Sequence, residues 1–224
     1  MNNMTPDIIF QNSHFLIIDK PAEVLSVPSR TGEKDPRPVA GIMMQELLGK
    51  KIYPVHRIDE DVSGLLMFAL TADAHRTANQ WFEKHEVVKT YEALSLPIES
   101  DREKWTALQL WTCKLMRGKK RAYEAEFGKD SSTRAQCVGE NREGRSVWHL
   151  QPLTGRSHQL RYEMTRHGFP IDGDSLYASQ MPVRLGAGIS LRAFRLDFSG
   201  CQKRDRFEFP AEIQLPSSIE IKKI

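Results

Sequence analysis

No stretch of the 224 residues approaches the ~18 to 20 consecutive apolar positions that a membrane-spanning helix requires. The opening MNNMTPDIIF also lacks the basic-then-apolar order of a secretory signal, so a cytoplasmic protein is expected. Cysteine is scarce. Cys113, Cys137 and Cys201 are far apart, odd in number and never in a CxxC pair, which argues against a disulfide framework and a thiolate zinc site and leaves reduced thiols. The seven histidines include no HExxH and no pair four apart, so a metal-free chemistry is expected. A large excess of one charge is missing too: 32 Lys and Arg against 29 Asp and Glu leave a net charge of +3, which permits a polyanionic partner without requiring one. No repeat, low-complexity tract or linker divides the chain, and one domain over residues 1–224 is the economical expectation.

A hydrophobic content of 40% is enough for a proper core. Ile8-Ile9-Phe10 and Phe15-Leu16-Ile17-Ile18 read as strands separated by a turn, followed by a loop held extended by Pro21 and Pro28. After a charged loop from Ser29 to Pro38, the pattern Val39, Ile42, Met43, Glu46, Leu47 predicts a half-buried helix ending at Gly49. The apolar run 64–70 has the length and continuity of a central strand. Asp73 offers an N-cap for a helix over 74–85, with Ala74, Ala78, Trp81 and Phe82 on its core face. Residues 89–96 return to strand composition, and 99–147 reads as antiparallel sheet with long polar connections. A helix is predicted over 157–167, with Ser157 as N-cap and Gly168 just past its end, and Leu191–Phe198 and Phe207–Phe209 read as closing strands.

Two polar segments carry candidate chemistry. Pro54 to Gly64 packs His56, Arg57, Asp59, Glu60 and Asp61 into a loop that runs straight into the predicted central strand. Arg57 could hold Asp59 ionised, although an arginine beside an aspartate at a strand start is more often a structural ion pair. Thr154-Gly155-Arg156-Ser157-His158-Gln159-Leu160-Arg161 places a turn and two arginines at a helix start, an arrangement that attracts phosphate or carboxylate but also fits an ordinary capped helix. Met116 to Arg121 holds four cations in six residues, which by itself is consistent with a solvated surface.

Together these segments resemble the RluA-type pseudouridine synthases. HRIDEDVSGLLMFALT is similar to the family's His-Arg-Leu-Asp-x-x-Thr-Ser-Gly motif and following apolar strand. LTGRSHQLRYEMTRHGFPIDGDSLYAS is similar to its Thr-Gly-Arg-(Ser/Thr)-His-Gln-(Ile/Leu)-Arg helix and the Gly-x-Pro-Ile-x-Gly-Asp-x-x-Tyr turn. IIDKPAEVLSVP, KTYEAL and LRAFRLDF resemble the early Lys-Pro loop, the Lys-x-Tyr strand and the closing strand, so the likeness runs from about Ile8 to Phe209. It implies an α+β pseudouridine synthase fold: a mixed, mostly antiparallel bent sheet with flanking helices and a central basic cleft. The pattern begins within ten residues of Met1, so no separate N-terminal RNA-binding domain is expected.

The resemblance also implies roles. The chain would isomerise uridine to pseudouridine in structured ribosomal or transfer RNA, as a monomer without cofactor or obligatory protein partner. Asp59 matches the catalytic aspartate, acting as nucleophile or as base. Arg161 matches the arginine that pairs with it, Arg57 the residue that holds the RNA open, and Tyr91 the aromatic that stacks on uracil. His56, Lys89, Arg156 and His158 are further candidates for RNA contact. Glu60 and Asp61 depart from the family pattern; beside phosphates they would be repulsive unless paired, and Arg57, Lys51 or another loop cation is the expected partner. The alternative, an RNA-binding or remodelling protein of the same fold with decayed catalysis, is disfavoured because Asp59, Tyr91 and Arg161 are all present.

Overall fold

Phe15, Leu16, Ile17 and Ile18 are fully buried. A strand that is apolar on both faces is stable only inside a sheet, and this one, β2 (Phe15–Lys20), lies between β1 (Asp7–Gln11) and β4 (Ser63–Ala69). The computed structural model describes residues 5–29, 35–178, 188–217 and 219–222. Residues 30–34 of the expected charged loop and Ser179 of the SLYAS stretch lie outside them. The chain divides into two compact units, Met1–Val88 with Arg195–Leu215, and Lys89–Phe194 with Pro216–Ile224.

In the first unit β2 and β4 pair antiparallel from Phe15 opposite Ala69 to Lys20 opposite Gly64, and β3 (Tyr53–Pro54) pairs with the far end of β4. On one face Leu16, Ile18, Leu66 and Phe68 pack with Val24, Ala40, Met44 and Ile52. On the other, Phe15 meets Trp81, Phe207 and Phe209 at ring-centroid distances of 5.7, 5.4 and 4.8 Å. Burying each such aromatic contributes roughly 1.5–3 kcal/mol, so this cluster is a main source of the unit's stability.

Helix α1 (Ala40–Leu48) ends, as the sequence predicts, at a left-handed Gly49 with φ 61°. Its buried face differs from the expected one: Ala40 and Met44 point inward while Ile42 and Leu47 are exposed. Helix α2 (Ala72–Glu83) starts earlier than predicted. Thr71, in extended conformation, accepts a hydrogen bond from Ala74 N at 3.2 Å and caps the helix in place of Asp73, which falls in the first turn. Ala74, Ala78 and Trp81 face the core.

The second unit is an antiparallel sheet in the spatial order β5-β9-β8-β6-β7. β5 (Val88–Ser95) pairs with β9 (Ser146–Pro152), β9 with β8 (Lys129–Glu140), β8 with β6 (Gln109–Arg117) and β6 with β7 (Ala122–Glu124), all antiparallel. Burial along β8 alternates, with Ser131, Thr133, Ala135 and Cys137 inward, which is the period of a sheet covered on one face. Short α3 (Arg102–Thr106) and α4 (Gln159–Arg166) supply the cover, around Trp105, Trp111, Trp148 and Phe169.

Helix α4 is not capped by Ser157. His158 occupies the cap position in a left-handed conformation, φ 54°, without a side-chain cap bond, and Gly168 at φ 87° follows the last turn as expected. Strand β10 (Leu191–Asp197) passes from the second unit into the first, where its last three residues pair with β11 (Glu212–Gln214). The expected strand at 207–209 is instead a short 3-10 turn, Asp205–Phe207, that drops Phe207 and Phe209 into the aromatic core. The fold is α+β with a mostly antiparallel sheet.

Candidate active site

The Asp59 loop connects β3 to β4 and is fastened at almost every residue. Ser26 Oγ donates to Ile58 O at 2.7 Å and accepts from Ile58 N at 3.1 Å, so one buried hydroxyl satisfies both backbone groups of the residue before Asp59. Val62 N donates to Asp59 O at 3.2 Å, closing a turn whose ends, Ile58 and Val62, are buried pegs. Asp59, Glu60 and Asp61 lie half-buried between them. His56 Nε2 accepts from Met67 N at 3.1 Å and its ring stacks on Phe82 at 4.7 Å, making His56 a bracket that ties the loop to β4 and α2. Arg57 is exposed.

Lys20, fully buried at the end of β2, carries no signal in the sequence beyond its place in the Lys-Pro loop. Its Nζ donates to Pro21 O and Val24 O at 2.7 Å each and to Glu60 O at 3.2 Å. Glu23 N reaches the same Glu60 carbonyl at 2.9 Å. Burial pushes the Lys20 ammonium down to about 8, although Glu60, Asp61, Asp59 and Asp19 all act to keep it charged. The acidic departure is also accounted for in part: the Glu60 carboxylate pairs with Arg37, which also holds Asp35. Lys51, an expected partner, lies over the Tyr53 ring instead.

The second unit holds Lys89, Tyr91, Arg156, His158 and Arg161. Tyr91 stands half-buried on β5 opposite Leu150, and burial lowers the Lys89 ammonium from its ordinary value. Gln159, the first residue of α4, folds the preceding motif into shape. Its Oε1 accepts from Thr154 Oγ1 at 2.8 Å and Arg156 N at 3.0 Å, while its Nε2 donates to Ser132 O and Thr133 Oγ1 at 2.9 Å each. The amide thus locks the helix start onto β8, while no side chain caps the free N–H groups of the helix. Arg156 Nε donates to Asp130 O at 2.8 Å, and His158 Nδ1 lies 3.2 Å from Tyr177 Oη.

Arg161 is 3% exposed and its guanidinium makes a fork with Asp174, Nε to Oδ2 at 2.7 Å and Nη2 to Oδ1 at 2.8 Å. Asp174 Oδ1 also accepts from Leu176 N and Tyr177 N at 3.2 and 3.3 Å, and Arg161 Cζ lies 5.5 Å from the Tyr177 ring centre. Asp174 is the aspartate of the Gly-x-Pro-Ile-x-Gly-Asp stretch; the motif is visible in the residue order, but not that this carboxylate anchors the arginine. The far end of α4 is fixed by buried Glu163, which takes Cys113 Sγ at 3.0 Å and Arg166 Nη1 at 3.2 Å, with His167 Nε2 at 3.5 Å. Burial opposes ionisation of Glu163, but the bonds from His167 and Cys113 and the charge of Arg166 outweigh it and hold its carboxyl below the ordinary range. The Cys113 thiol is pushed up to about 12, by burial first and by Glu163 second. Among the described residues no three His, Cys, Asp or Glu side chains cluster as a metal site would need, and no helix is long and apolar enough to cross a membrane.

A family model described as RNA pseudouridylate synthase matches residues 14–166, which include the Asp59 loop, Tyr91 and Arg161. The chain belongs to this family. These enzymes are isomerases that act on RNA. Among curated pseudouridine synthases, the dual-specificity RNA pseudouridine synthase RluA of Yersinia pestis is 31% identical over 189 residues, covering 84% of this chain and 90% of that protein. The enzyme of the same name from Escherichia coli K12 is 34% identical over 176 residues, 77% of each chain. The fold is shared with human RNA pseudouridylate synthase domain containing 1, at a TM-score of 0.73 and 21% identity over 96% of this chain and 84% of that one. Human RNA pseudouridylate synthase domain containing 4 gives 0.67 and 19%, over 96% and 88%.

Proposed function

We propose that this pseudouridine synthase acts on uridines in structured ribosomal or transfer RNA, with Asp59 as its catalytic carboxylate. The isomerisation breaks the bond from uracil N1 to ribose C1′, turns the base, and joins C5 to the same C1′; the proton on C5 leaves and N1 gains one. Nothing is oxidised or transferred to another molecule, so no cofactor is required. The carboxylate either attacks C1′ and is displaced by C5, or removes the hydrogen at C2′. What supports Asp59 in this role is its setting: half-buried in a turn whose flanks are pegged into the core and whose carbonyls are clamped by Ser26 and Lys20. A reacting group must be held within a fraction of an ångström, which a turn fastened in this way provides.

Tyr91 supplies a ring for stacking on uracil, worth ~1–3 kcal/mol and comparable with the few kcal/mol needed to extrude a base. Arg161, fixed by Asp174, supplies a positive charge at a low-dielectric position, and exposed Arg57 reaches for the RNA strand. Lys89, Arg156 and His158 are assigned to RNA contacts, while His56 serves mainly to shape the loop. The chain is taken to work in the cytoplasm as a monomeric, single catalytic domain.

The test follows tritium released to water from RNA carrying 5-tritiated uridine. Asp59→Asn should abolish release while RNA binding and thermal stability persist. Retained turnover in that variant would remove Asp59 from the role; RNA binding without turnover in the wild type would favour the decayed-enzyme alternative.

A further inference from the structure

The four cations between Met116 and Arg121 play no part in the reading above. Strand β6 ends at Arg117 and β7 begins at Ala122, the last residues paired across the hairpin. The connection closes tightly, with Gly118 N donating to Arg121 O at 3.0 Å. A Cβ at position 118 would stand 2.6 Å from that carbonyl and 3.3 Å from the Tyr123 ring, so only glycine lets the turn close this way. Arg117, Lys119, Lys120 and Arg121 are consequently crowded into one short turn, and all four are exposed.

Charge crowding of this kind is normally relieved by nearby carboxylates. Elsewhere in the same unit Arg102, Arg142, Arg145 and Arg166 have each found one, in Glu140, Glu220, Asp172 and Glu163. Among the described residues none of the four turn cations makes an ion pair. The turn is nevertheless rigidly mounted. Tyr177 Oη accepts from Ala122 N at 2.6 Å, and Arg121 Nη1 reaches Leu176 O at 3.5 Å. Leu176 and Tyr177 belong to the stretch whose amides bind Asp174, so the basic hairpin and Arg161 are hung from one piece of backbone.

We propose that this turn is a binding ledge for RNA backbone phosphates, separate from the uridine site and serving the RNA substrate assigned above. Cations that pair with no described carboxylate, set on a fixed mount, lower their mutual repulsion by taking a polyanion, and RNA is the polyanion on which this family acts. Lysine ammonium groups bind phosphate as point charges and read no base, so the ledge responds to the path of the backbone, which is how folded RNA is distinguished by shape.

The experiment measures binding of an unmodified transfer RNA transcript across a salt series, for wild type and for the Arg117→Gln, Lys119→Gln, Lys120→Gln triple variant. Arg121 is left intact because it also holds Leu176. The slope of log K against log salt should fall by about 0.7–0.9 for each phosphate that is no longer neutralised, about 2 or more in all, with weaker binding at about 0.1 M salt. Lys120→Gln alone should remove about one such increment, which keeps the test informative should the triple variant fold poorly. Arg142→Gln, which removes an exposed but paired cation of the same unit, should leave the slope unchanged. Unchanged slope and affinity in the turn variants would overturn the proposal, as would a wild type that does not bind the transcript. An equal loss of binding to poly-glutamate would overturn RNA as the occupant. A wild type that binds RNA through the ledge but releases no tritium would instead count against the catalytic reading alone.

Discussion

Arg161 and Asp174 form a buried fork in which both oxygens of the aspartate meet the guanidinium, at 2.7 and 2.8 Å, while one of them also takes two backbone amides. Asp174→Asn should therefore do more than remove one charge: it leaves a buried guanidinium facing an amide that can offer only one acceptor oxygen. Breaking such a pair typically costs ~3–5 kcal/mol, readable as a lowered urea midpoint. Tritium release should fall as well, and Asp174→Glu should not restore it, since a longer arm displaces the fork. Near-wild-type stability in Asp174→Asn would show that Arg161 is held by other contacts.

Lys20 makes stability depend on alkaline pH in an unusual direction. Its folded value of about 8 lies below the ordinary 10.5, so between these values the unfolded chain binds more protons than the native one. The contribution of this lysine to stability accordingly rises with pH through that window, by on the order of 3 kcal/mol. Comparing wild type with Lys20→Met by urea unfolding near pH 7.5 and near pH 10 isolates the effect. The difference should widen in favour of the wild type; a constant difference contradicts it.

Cys113 should be a poor nucleophile. With its thiol pushed up to about 12 by burial and by Glu163, the thiolate is scarce at pH 8. Alkylation by iodoacetamide in the native protein should be at least roughly a hundred-fold slower than in urea, as followed by mass spectrometry. Glu163→Gln should accelerate it.

Glu60 pairs with Arg37 at a partly exposed position, and such pairs contribute ~0–1 kcal/mol. Glu60→Gln should then shift stability by less than about 1 kcal/mol, and should not tighten RNA binding at low salt, because it frees Arg37 to bind Asp35 alone. Tighter binding confined to low salt would show that the Glu60 carboxylate faces the RNA.

Much of this architecture is legible in the residue pattern. Continuous apolar runs identify β2 and β4 because a central strand needs no polar face, and Gly49 and Gly168 mark helix ends because few other residues take left-handed backbone readily. Helix starts are less legible. Thr71 and Asp73 are both good caps, and two residues of register decide between them; α4 has no side-chain cap, and its start is held instead by Gln159, whose partners Ser132 and Thr133 are more than twenty residues away. The α1 face is misleading in the sequence because Ile42 and Leu47 look more apolar than Ala40, which is the one buried, with Met44, against Leu66 and Phe68. Lys20 and Asp174 can be seen as motif members, but their partners are carbonyls and a guanidinium brought close only by folding.

The strand that leaves the second unit for the first imposes an order on folding. Asn12 Nδ2 donates to the carbonyl of Phe207, 195 positions later, and Phe15 and Trp81 wait for Phe207 and Phe209 to complete their cluster. On the ribosome, the unit holding β2 and β4 thus cannot close its core until Phe207 and Phe209 have emerged, whereas β5 to β9 can assemble from a continuous stretch. The half that carries Asp59 is begun first but waits for residues 207–209 to close its aromatic cluster, and until then its apolar strands are exposed to premature association.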